Sequence, residues 1–478
     1  MMQAIFEPTT IEQELHHCLH LQKANAHAEG IETYAIRKAH LLKLKAMINN
    51  HREELIDAIN RDYGNRSRHE TLLAEIITST DDINGSLKHL KKWMKVQKRK
   101  VDQSMYFGAK NRVIPQPLGV IGVIVPWNFP INLMFSQLSA IFAAGNRAMV
   151  KMSENSRHLA KLLMEISPKY FSHEKLKIFD ETGEVGIAFS KLPFDHLMFT
   201  GSGATGRKVM AAAAPNLTPV TLELGGKSPA VIDPEFPLAK AVERIMFVKQ
   251  FNAGQICTNV DYVFVHKSQR QAFIKATENW VKQHVPDIHS LDYTSIIDDR
   301  SFDRLQQCVA QAKSNGATVI NLNQQDADAA TRKFPLTMIL DSTDNMDIDT
   351  RETFGPILMV KTYDDPKQVV DYIAQRDRPL AFYPFSNDRE LVDYYLNRVM
   401  SGGVCVNDAL FHVGQHDLPF GGVGASGMGH YHGYEGFLTF SKMRPVFYQA
   451  GFSSMKFLAP PYGNFANRML NFLAKMKS

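Results

Sequence analysis

Residues 118–151 read LGVIGVIVPWNFPINLMFSQLSAIFAAGNRAMVK. The run 118–125 is rich in valine and isoleucine and has the length of a buried strand, and 131–144 is an apolar run of helical length that Gly145 closes. A second strand candidate, 147–151, follows at once. A strand, a helix and a strand in succession predict a parallel sheet with a crossover helix, and therefore an α/β fold.

The same alternation continues in two series, which meet at Gly225-Gly226. A chain of 478 residues is long enough for two or three packed units, so we expect a domain boundary near 225. The further candidates, in chain order, are a helix at 157–170, strands at 176–180 and 196–200, a helix from Thr205, strands at 230–232 and 262–265, and helices at 237–251 and 268–283.

The segments outside this alternation are of three kinds. Residues 9–62 predict packing helices, because their apolar residues recur at helical steps, and residues 401–433 are rich in glycine and aromatics, which favours loops. The tail after Pro460-Pro461 carries an apolar stripe that has to be buried somewhere. The two apolar faces are Leu41, Leu44, Ile48, Leu55 and Ile59, and Phe465, Met469, Phe472, Leu473 and Met476.

Composition excludes several classes of protein. The net charge of +5 is small for this length, and the densest basic stretch, 88–100, has Leu87, Leu90 and Met94 at helical spacing, so we expect an amphipathic helix with a solvated basic face and no nucleic-acid partner. The four cysteines form no CxxC pair, which fits a reducing cytoplasm. The N-terminus lacks the pattern of a signal peptide, and no segment reaches the roughly 18 to 20 apolar residues of a membrane span.

A literal GxGxxG motif runs from Gly201 through Ser202 to Gly206, between a strand and a helix. In that context backbone N–H groups face a dinucleotide phosphate, so Gly201, Ser202 and Gly206 are candidate cofactor ligands. The motif also expects an acidic ribose ligand about 20 residues on, and Glu223 stands there. By this rule alone Glu223 would bind the cofactor.

Other motifs resemble the active-site signatures of the aldehyde dehydrogenase superfamily, in type and in order. The resemblance implies that family's α/β fold, with a Rossmann-like cofactor domain (1–101 and 117–224), a catalytic domain (225–405), a small bridging or oligomerisation element (102–116 and 406–447) and a C-terminal tail (448–478). The motifs are VPWNFP from Val125, KMSE from Lys151, VTLELGGKSP from Val220, FNAGQIC from Phe251, ETFGP from Glu352 and PFGG from Pro419.

The resemblance assigns a role to each catalytic residue. Cys257 attacks the aldehyde to form a thiohemiacetal, and its neighbours are expected to lower its pKa so that thiolate is accessible. Asn128 and the backbone N–H of Cys257 stabilise the oxyanion. Glu223 is the general base that activates water to hydrolyse the thioester, which is a different role from the one that the glycine motif suggests.

The cofactor implied is NAD, with NADP as the alternative. Lys151 and Glu154 resemble the ligands of the adenosine ribose, and the negative charge of Glu154 favours NAD over a phosphorylated ribose. Glu352 resembles the ligand of the nicotinamide ribose, and Phe354 the aromatic residue that packs against the ring. In isolation, Lys151 with Glu154 would be an exposed ion pair near a helix start, and Glu352 a solvated loop residue.

One departure indicates the branch of the family. Most members have arginine five residues after the nucleophile, whereas this chain has Tyr262, preceded by Asp261. With the glycine-rich run 421–433 and Pro-Pro-Tyr-Gly at 460–463, the pair is similar to the class 3 branch, and within it to bacterial coniferyl aldehyde dehydrogenases. That branch implies aromatic or medium- to long-chain aliphatic aldehydes and a homodimer.

Three alternatives are weighed. A coenzyme A-acylating aldehyde dehydrogenase would release the acyl group to a thiol, but it needs no water-activating base such as Glu223. A catalytically silent family member with a binding role would not need Cys257, Asn128 and Glu223 together. The histidine pairs His412 with His416 and His430 with His432 are not expected to bind metal, because glycines break the helix that such a spacing needs.

Overall fold

The computed structural model describes residues 10–182, 184–451, 453 and 458–478. The first nine residues, on which much of the signal-peptide prediction depends, lie outside the described residues. The chain begins with helices α1 Ile11–Glu29, α2 Tyr34–Asn50, α3 Arg52–Tyr63, α4 Arg68–Thr71 and α5 Thr78–Trp93, with a π-helical turn, Leu72–Ile77, before α5. All five residues of the predicted apolar face between 41 and 59 are buried, so that prediction is confirmed.

The first sheet has six strands in the order β15-β7-β6-β3-β4-β5. Five strands are parallel, and their nearly continuous apolar runs are buried on both faces by helices. Its elements are β3 Val120–Ile124, α6 Pro130–Ala144, β4 Arg147–Lys151, α7 Arg157–Ile166, β5 Leu176–Phe179, α8 Val185–Ser190, β6 His196–Gly201, α9 Gly203–Ala213, β7 Val220–Leu224 and the short antiparallel β15 Gly427–Met428.

The second sheet has seven strands in the order β10-β11-β12-β9-β8-β13-β14, of which β10 alone is antiparallel. The chain passes from the first sheet to the second between Leu224 and Ser228, through Gly225-Gly226. Its elements are β8 Ser228–Ile232, α10 Leu238–Gln250, β9 Val260–His266, α11 Arg270–His284, α12 Asp299–Ser314, β10 Thr318–Asn321, β11 Thr337–Leu340, α13 Asp347–Thr350, β12 Ile357–Tyr363, α14 Pro366–Ala374, β13 Ala381–Phe385, α15 Arg389–Leu396 and β14 Gly403–Val404.

A third, antiparallel sheet joins β1 Gln97–Arg99, β2 Lys110–Pro117 and β16 Ser441–Tyr448, and α16 Gly433–Thr439 and α17 Asn464–Lys477 complete the described chain. The predicted amphipathic helix is confirmed by α5, which contains Leu87 and Leu90, but two predicted boundaries shift. The basic helix ends at Trp93, because Gln97–Arg99 pairs with β2 and sheet pairing overrides the helical pattern. The bridging strand begins at Lys110 rather than near 102, since the residues before it form turns.

The predicted α/β fold class is confirmed by these sheets. The segment 401–433 is indeed dense in loops. One of its short strands, β15, pairs with Glu223 and Leu222 of β7, so part of the segment assigned to the oligomerisation element extends the first sheet. The assignment of roles to the domains stays a prediction.

Candidate active site

Cys257 lies in a tight turn between α10 and β9. Three successive residues, Asn252, Ala253 and Gly254, have positive φ angles of 51°, 49° and 71°. A Cβ on Gly254 would lie 2.3 Å from the carbonyl oxygen of Gly355, so only glycine allows this close approach. The turn leaves Cys257 half-buried, and although β9 belongs to the second sheet, Cys257 packs against the apolar cluster of the first.

Asn128 is buried beside this turn and is held at both ends. Its side-chain Nδ2 donates to the carbonyl oxygen of Gln255 at 3.3 Å. Its own backbone carbonyl accepts hydrogen bonds from Tyr63 Oη at 3.1 Å, Arg66 Nη1 at 2.8 Å and Asn252 Nδ2 at 3.3 Å. The predicted oxyanion donor is therefore fixed two residues from the predicted nucleophile.

Arg66 is a site residue that the sequence analysis missed. Its guanidinium is fully buried between the rings of Tyr63 and Phe129, at 4.8 and 5.0 Å, and pairs with Glu75 at 3.3 Å. Glu75 lies in the π-helical turn and also accepts the backbone N–H of Asn132 at 2.6 Å. π-Helical turns are frequent at functional sites. No local pattern marks Arg66, because its role comes from partners far along the chain.

Glu223 is buried in β7, and neither of its carboxylate oxygens has a hydrogen-bond partner among the described residues. Burial raises the pKa of Glu223 well above its usual value. Burial likewise raises the pKa of Cys257 to about 12, with further increases from the negative charges of Glu352 and Glu223. The expectation of a low thiol pKa is therefore wrong: these neighbours are acidic rather than basic, and they lie within electrostatic range of the sulfur.

Glu352 lies in the loop before β12 and, like Glu223, is near Cys257. A Cβ on Gly225 would lie 2.1 Å from Glu352 Oε2, so the glycine lets the carboxylate approach the end of β7. Burial, then the charge of Asp261, raises the pKa of Glu352 to about 8, and its Oε1 has no hydrogen-bond partner among the described residues. The neighbouring Phe354 makes an edge contact with Trp127, with ring centroids 5.4 Å apart.

Asp261, part of the unusual Asp-Tyr pair, fixes this loop. Its Oδ2 accepts the backbone N–H of Thr353 at 3.0 Å, and its Oδ1 accepts from Lys227 Nζ at 2.8 Å. Arg304 donates to the carbonyl oxygen of Thr353 at 2.7 Å. The backbone N–H and the carbonyl oxygen of Thr353 are thus both hydrogen-bonded, which fixes the loop that carries Glu352 and Phe354. In the sequence, Asp261 indicates the branch of the family, but its bonds to Thr353 and Lys227 join segments that no local pattern connects.

The glycine motif forms the start of α9. Gly201 ends β6, and Ser202 is the N-cap residue, whose hydroxyl accepts the N–H of Thr205 at 3.3 Å. A Cβ on Gly206 would lie 2.7 Å from Leu224, so this glycine lets the helix pack against the sheet, whereas a Cβ on Gly203 would meet nothing nearer than 3.7 Å. The helix start therefore leaves room at the carboxyl edge of the sheet for a phosphate.

Lys151 ends β4 and Glu154 follows it at the same edge, but the two are not partners of each other. Lys151 is buried and forms a salt bridge with Glu181, whereas Glu154 is exposed. Glu181 also accepts the backbone N–H of Gly186 at 3.2 Å. The sequence analysis missed Glu181, although an acidic residue just past β5 is the kind of signal that the edge of a parallel sheet predicts.

The histidines of the loop segment do not form a metal cluster: within the described ranges, no group of three histidine, cysteine or acidic residues could hold a metal ion. His416 Nδ1 lies 2.6 Å from Asp82 Oδ1, and His432 stacks on Phe420 at 5.2 Å. Over the same described ranges, every helix is too short or too polar to traverse a lipid bilayer.

An open parallel sheet with a helix start at its carboxyl edge, next to a second sheet that carries a half-buried cysteine, is the architecture of a dinucleotide-dependent α/β enzyme. Residues 20–446 match the model of the aldehyde dehydrogenase family. The chain therefore belongs to the aldehyde dehydrogenase family, as its motifs predict.

Individual relatives cover nearly the whole chain. The coniferyl aldehyde dehydrogenase of a Pseudomonas species is 44% identical over 455 residues, which are 94% of each chain. Mouse aldehyde dehydrogenase family 3 member B3 is 34% identical over 420 residues, 86% of this chain and 85% of the mouse protein. The substrate-bound structure of Staphylococcus aureus AldH superposes with a TM-score of 0.90 at 31% identity, covering 96% of this chain and 99% of that one. The protein is thus an enzyme, an aldehyde dehydrogenase.

Proposed function

We propose that this chain oxidises coniferyl aldehyde, or a related aromatic or medium- to long-chain aliphatic aldehyde, to the carboxylic acid with NAD as oxidant. The placement of Cys257, Glu223 and Asn128 around one buried site carries the proposal, because Asn128 contacts the cysteine turn and Glu223 lies near enough to Cys257 to raise the pKa of its thiol when ionised. The name of the Pseudomonas relative supports the aromatic substrate.

The first chemical step belongs to Cys257 and Asn128. The Cys257 sulfur, once it has lost its proton, forms a bond to the aldehyde carbon, and the carbonyl oxygen takes the negative charge. Asn128 Nδ2 has two N–H groups, of which one bonds to Gln255, so the second is available to this oxyanion together with the backbone N–H of Cys257. The bonds to the Asn128 backbone carbonyl hold its main chain and the bond to Gln255 holds its side-chain amide before substrate binds, which removes a reorganisation cost.

The residues at the sheet edge fit NAD. The unpartnered oxygen of Glu352 would accept a hydrogen bond from a ribose hydroxyl, and the open space at Gly203 would admit the pyrophosphate. Lys151 and Glu154 would hold the second ribose, and Phe354 would pack beside the nicotinamide. When bound, the nicotinamide supplies the two-electron oxidant that turns the sulfur-bound carbon into a thioester.

Glu223 would then act on water. Its carboxylate takes one proton from a water molecule as the water oxygen attacks the thioester carbon. The carbon–sulfur bond breaks, the acid leaves and Cys257 regains its proton. A buried carboxyl with a raised pKa suits this role, because its basicity exceeds that of an exposed glutamate.

Two rivals are separated by one experiment. Formation of NADH is followed by absorbance after an aldehyde is added, with and without coenzyme A. The proposal predicts NADH without coenzyme A and the free acid as product. An absolute requirement for coenzyme A would identify an acylating enzyme, and no NADH in either case would identify a silent member with a binding role.

The cellular location, the oligomeric state and the preference for NAD over NADP complete the proposal. We place it in the cytoplasm as a homodimer, on the basis of the class 3 resemblance and of four cysteines that form no disulfide among the described residues. We favour NAD over NADP because the Glu154 carboxylate and the Glu181 carboxylate, which is paired with Lys151, would repel a ribose phosphate. Size-exclusion chromatography with light scattering tests the dimer.

A further inference from the structure

Helix α7 begins just after Glu154, and its first turn lacks a local cap. Its N-cap residue, Ser156, forms no side-chain hydrogen bond to the helix. The first N–H groups of a helix have no partner within the helix, so the side chain of the N-cap residue usually binds them. In α7 this partner comes from another part of the chain.

Asp62 of helix α3 binds the first turn of α7. Its Oδ1 accepts the backbone N–H of His158 at 2.8 Å, and its Oδ2 accepts the backbone N–H of Leu159 at 3.1 Å. The ring nitrogen His158 Nδ1 also lies 2.9 Å from Asp62 Oδ1. Only 3% of the Asp62 side chain is exposed. Both carboxylate oxygens are therefore committed to the start of α7, where the helix dipole favours a negative charge.

The position of Asp62 within α3 indicates that its carboxylate is there for α7. Asp62 lies in the last turn of α3, the end at which the helix dipole disfavours a negative charge. Burial raises the pKa of Asp62 above its usual value, although the N–H groups of His158 and Leu159 lower it. The carboxylate is thus destabilised by burial and by its own helix, and it is stabilised by the start of α7.

The turn after Asp62 is a rigid support for this contact. Tyr63 Oη and Arg66 Nη1 both donate to the backbone carbonyl of Asn128, at 3.1 and 2.8 Å. Gly64 ends α3 with a φ of 78°, a conformation that favours glycine. Arg332 Nη2 donates to the carbonyl oxygen of Tyr63 at 2.8 Å. The segment that carries Asp62 is therefore fixed to both sheets.

The residues between β4 and α7 are also held from a second direction. Asn155 Nδ2 donates to Asp298 Oδ2 at 2.8 Å, and Asp298 is the N-cap residue of α12, next to the second sheet. Glu154 lines a cavity of about 260 Å³ together with Asp62, Asn155 and Asp298. The side chain of Glu154 is exposed, but the chain on each side of it is anchored.

From these contacts we infer that Asp62 is a positioning residue for the cofactor. By binding the first N–H groups of α7, it fixes the main chain that carries Glu154 before NAD binds. The free energy of ordering this segment is then not subtracted from the binding free energy of NAD. The inference rests on the proposed assignment of Glu154 to the adenosine ribose. Asp62 makes no bond to substrate or cofactor in this account.

Substitution of Asp62 tests the inference. Asp62→Ala should raise the KM and the Kd for NAD about tenfold, while kcat at saturating NAD and the KM for aldehyde stay within about twofold. Asp62→Asn can accept only one of the two N–H groups and should raise the same constants about threefold. This milder variant keeps the shape of the side chain, so it carries the test if Asp62→Ala does not fold.

The control removes a similar cap far from the cofactor residues in the sequence. Asp388 is the N-cap residue of α15 and accepts the backbone N–H groups of Glu390 and Leu391, at 2.9 and 3.4 Å. Asp388→Ala should lower the melting temperature and leave the KM and the Kd for NAD unchanged. A tenfold rise in the KM for NAD in this control would show that loss of any helix cap weakens NAD binding, and it would overturn the inference.

A double-mutant cycle shows whether Asp62 acts through Glu154. In the Glu154→Gln background, Asp62→Ala should raise the KM for NAD by less than about twofold, because the contact that it positions is already lost. Independent effects of the two substitutions would overturn the inference, as would an unchanged KM for NAD in Asp62→Ala when Glu154→Gln raises it. An unchanged KM in Glu154→Gln would reject the ribose assignment and the inference together. Absence of NADH with every aldehyde would reject the proposed function itself.

Discussion

In the proposed mechanism Cys257 carries the covalent step, so its removal should separate chemistry from cofactor binding. Cys257→Ala should lower aldehyde oxidation by roughly 1000-fold or more, because no other group in the site offers a sulfur nucleophile, while the Kd for NAD stays within about twofold. The matched control is Cys308→Ala, a half-buried cysteine packed against the core of the second sheet. Steady-state NADH formation and equilibrium NAD binding give the two readouts. Near-normal turnover in Cys257→Ala would end the proposal.

The acidic surroundings of Cys257 predict how activity depends on pH. Cys257 must lose a proton to attack and Glu223 must be ionised to act as a base, and the pKa values of both are raised by burial. The Cys257 thiol is therefore protonated in the resting enzyme at neutral pH, and the reactive forms of both groups increase as pH rises. We expect kcat/KM to climb steadily from about pH 6 to about pH 9. A profile that is flat or falls over this range would show that the thiol is already ionised.

Substitution of Glu154 tests the assignment of the residues that bind the adenosine ribose of NAD. Glu154→Gln should raise the KM for NAD by about tenfold and should narrow the preference for NAD over NADP, since it removes both a ribose hydrogen bond and a repelling charge. Hydrolysis of the acyl intermediate should not change. Glu165→Gln, an exposed glutamate on α7, serves as the control. If the affinities for both cofactors are unaltered in Glu154→Gln, the ribose site lies elsewhere, and Glu181 is the next residue to examine.

At the scale of the element, the apolar stripe of α17 is partly exposed, with Met469 and Leu473 half-buried. Phe465, Phe472 and Met476 are 62%, 63% and 51% exposed, and Ala466 is the one buried residue of the helix. The expectation that the stripe is buried somewhere stays a prediction. Lys477 forms a salt bridge with Asp102, which holds the end of the helix near the third sheet.

Removal of this helix should alter selectivity and leave the fold intact. A chain ending at Asn464 should remain a folded enzyme, because Ala466 is the one buried residue that α17 contributes, and it should discriminate differently between bulky and small aldehydes, since an exposed apolar stripe favours burial against another apolar surface. The ratio of kcat/KM for a long-chain aldehyde and acetaldehyde measures the effect. Two single substitutions refine the test. Phe472→Ser should reproduce part of the change in this kcat/KM ratio, and Asn471→Ser should leave the ratio unchanged. Unchanged selectivity together with loss of vesicle binding would instead favour a membrane-surface role.

Some helices and strands could be predicted from sequence patterns, and others could not. The parallel strands and their helices were accessible because buried strands are continuous apolar runs and helices show their own period. The end of the basic helix at Trp93 could not be predicted from the sequence, because the following strand forms only by pairing with β2. The pairing of β15 with β7 could not be predicted either, because it joins segments that are far apart in the sequence. Boundaries of this kind depend on tertiary partners that no local window contains.

At the scale of the whole molecule, motifs predict Cys257, Glu223 and Asn128 as the catalytic residues, and the structure adds the contacts that hold Asn128 beside the cysteine turn. Arg66 and Glu181 were not predicted, because each acts through a partner that only the fold brings near. Arg66 binds the carbonyl oxygen of Asn128, and Glu181 forms a salt bridge with Lys151. The pKa of Cys257 was predicted in the wrong direction, because motif residues state which groups are present and not how deeply they are buried or which charges face them.

The central claim is that Glu223 is the base for thioester hydrolysis and not a ribose ligand, and pre-steady-state kinetics of Glu223→Gln test it most directly. Glutamine keeps the shape of the side chain but cannot take the proton from water. The account predicts a rapid burst of NADH in the first turnover, very slow turnover afterwards, an acyl adduct on Cys257 by intact-mass spectrometry, and nearly unchanged NAD affinity. Weak NAD binding, with turnover restored at high NAD and no acyl adduct, would contradict it.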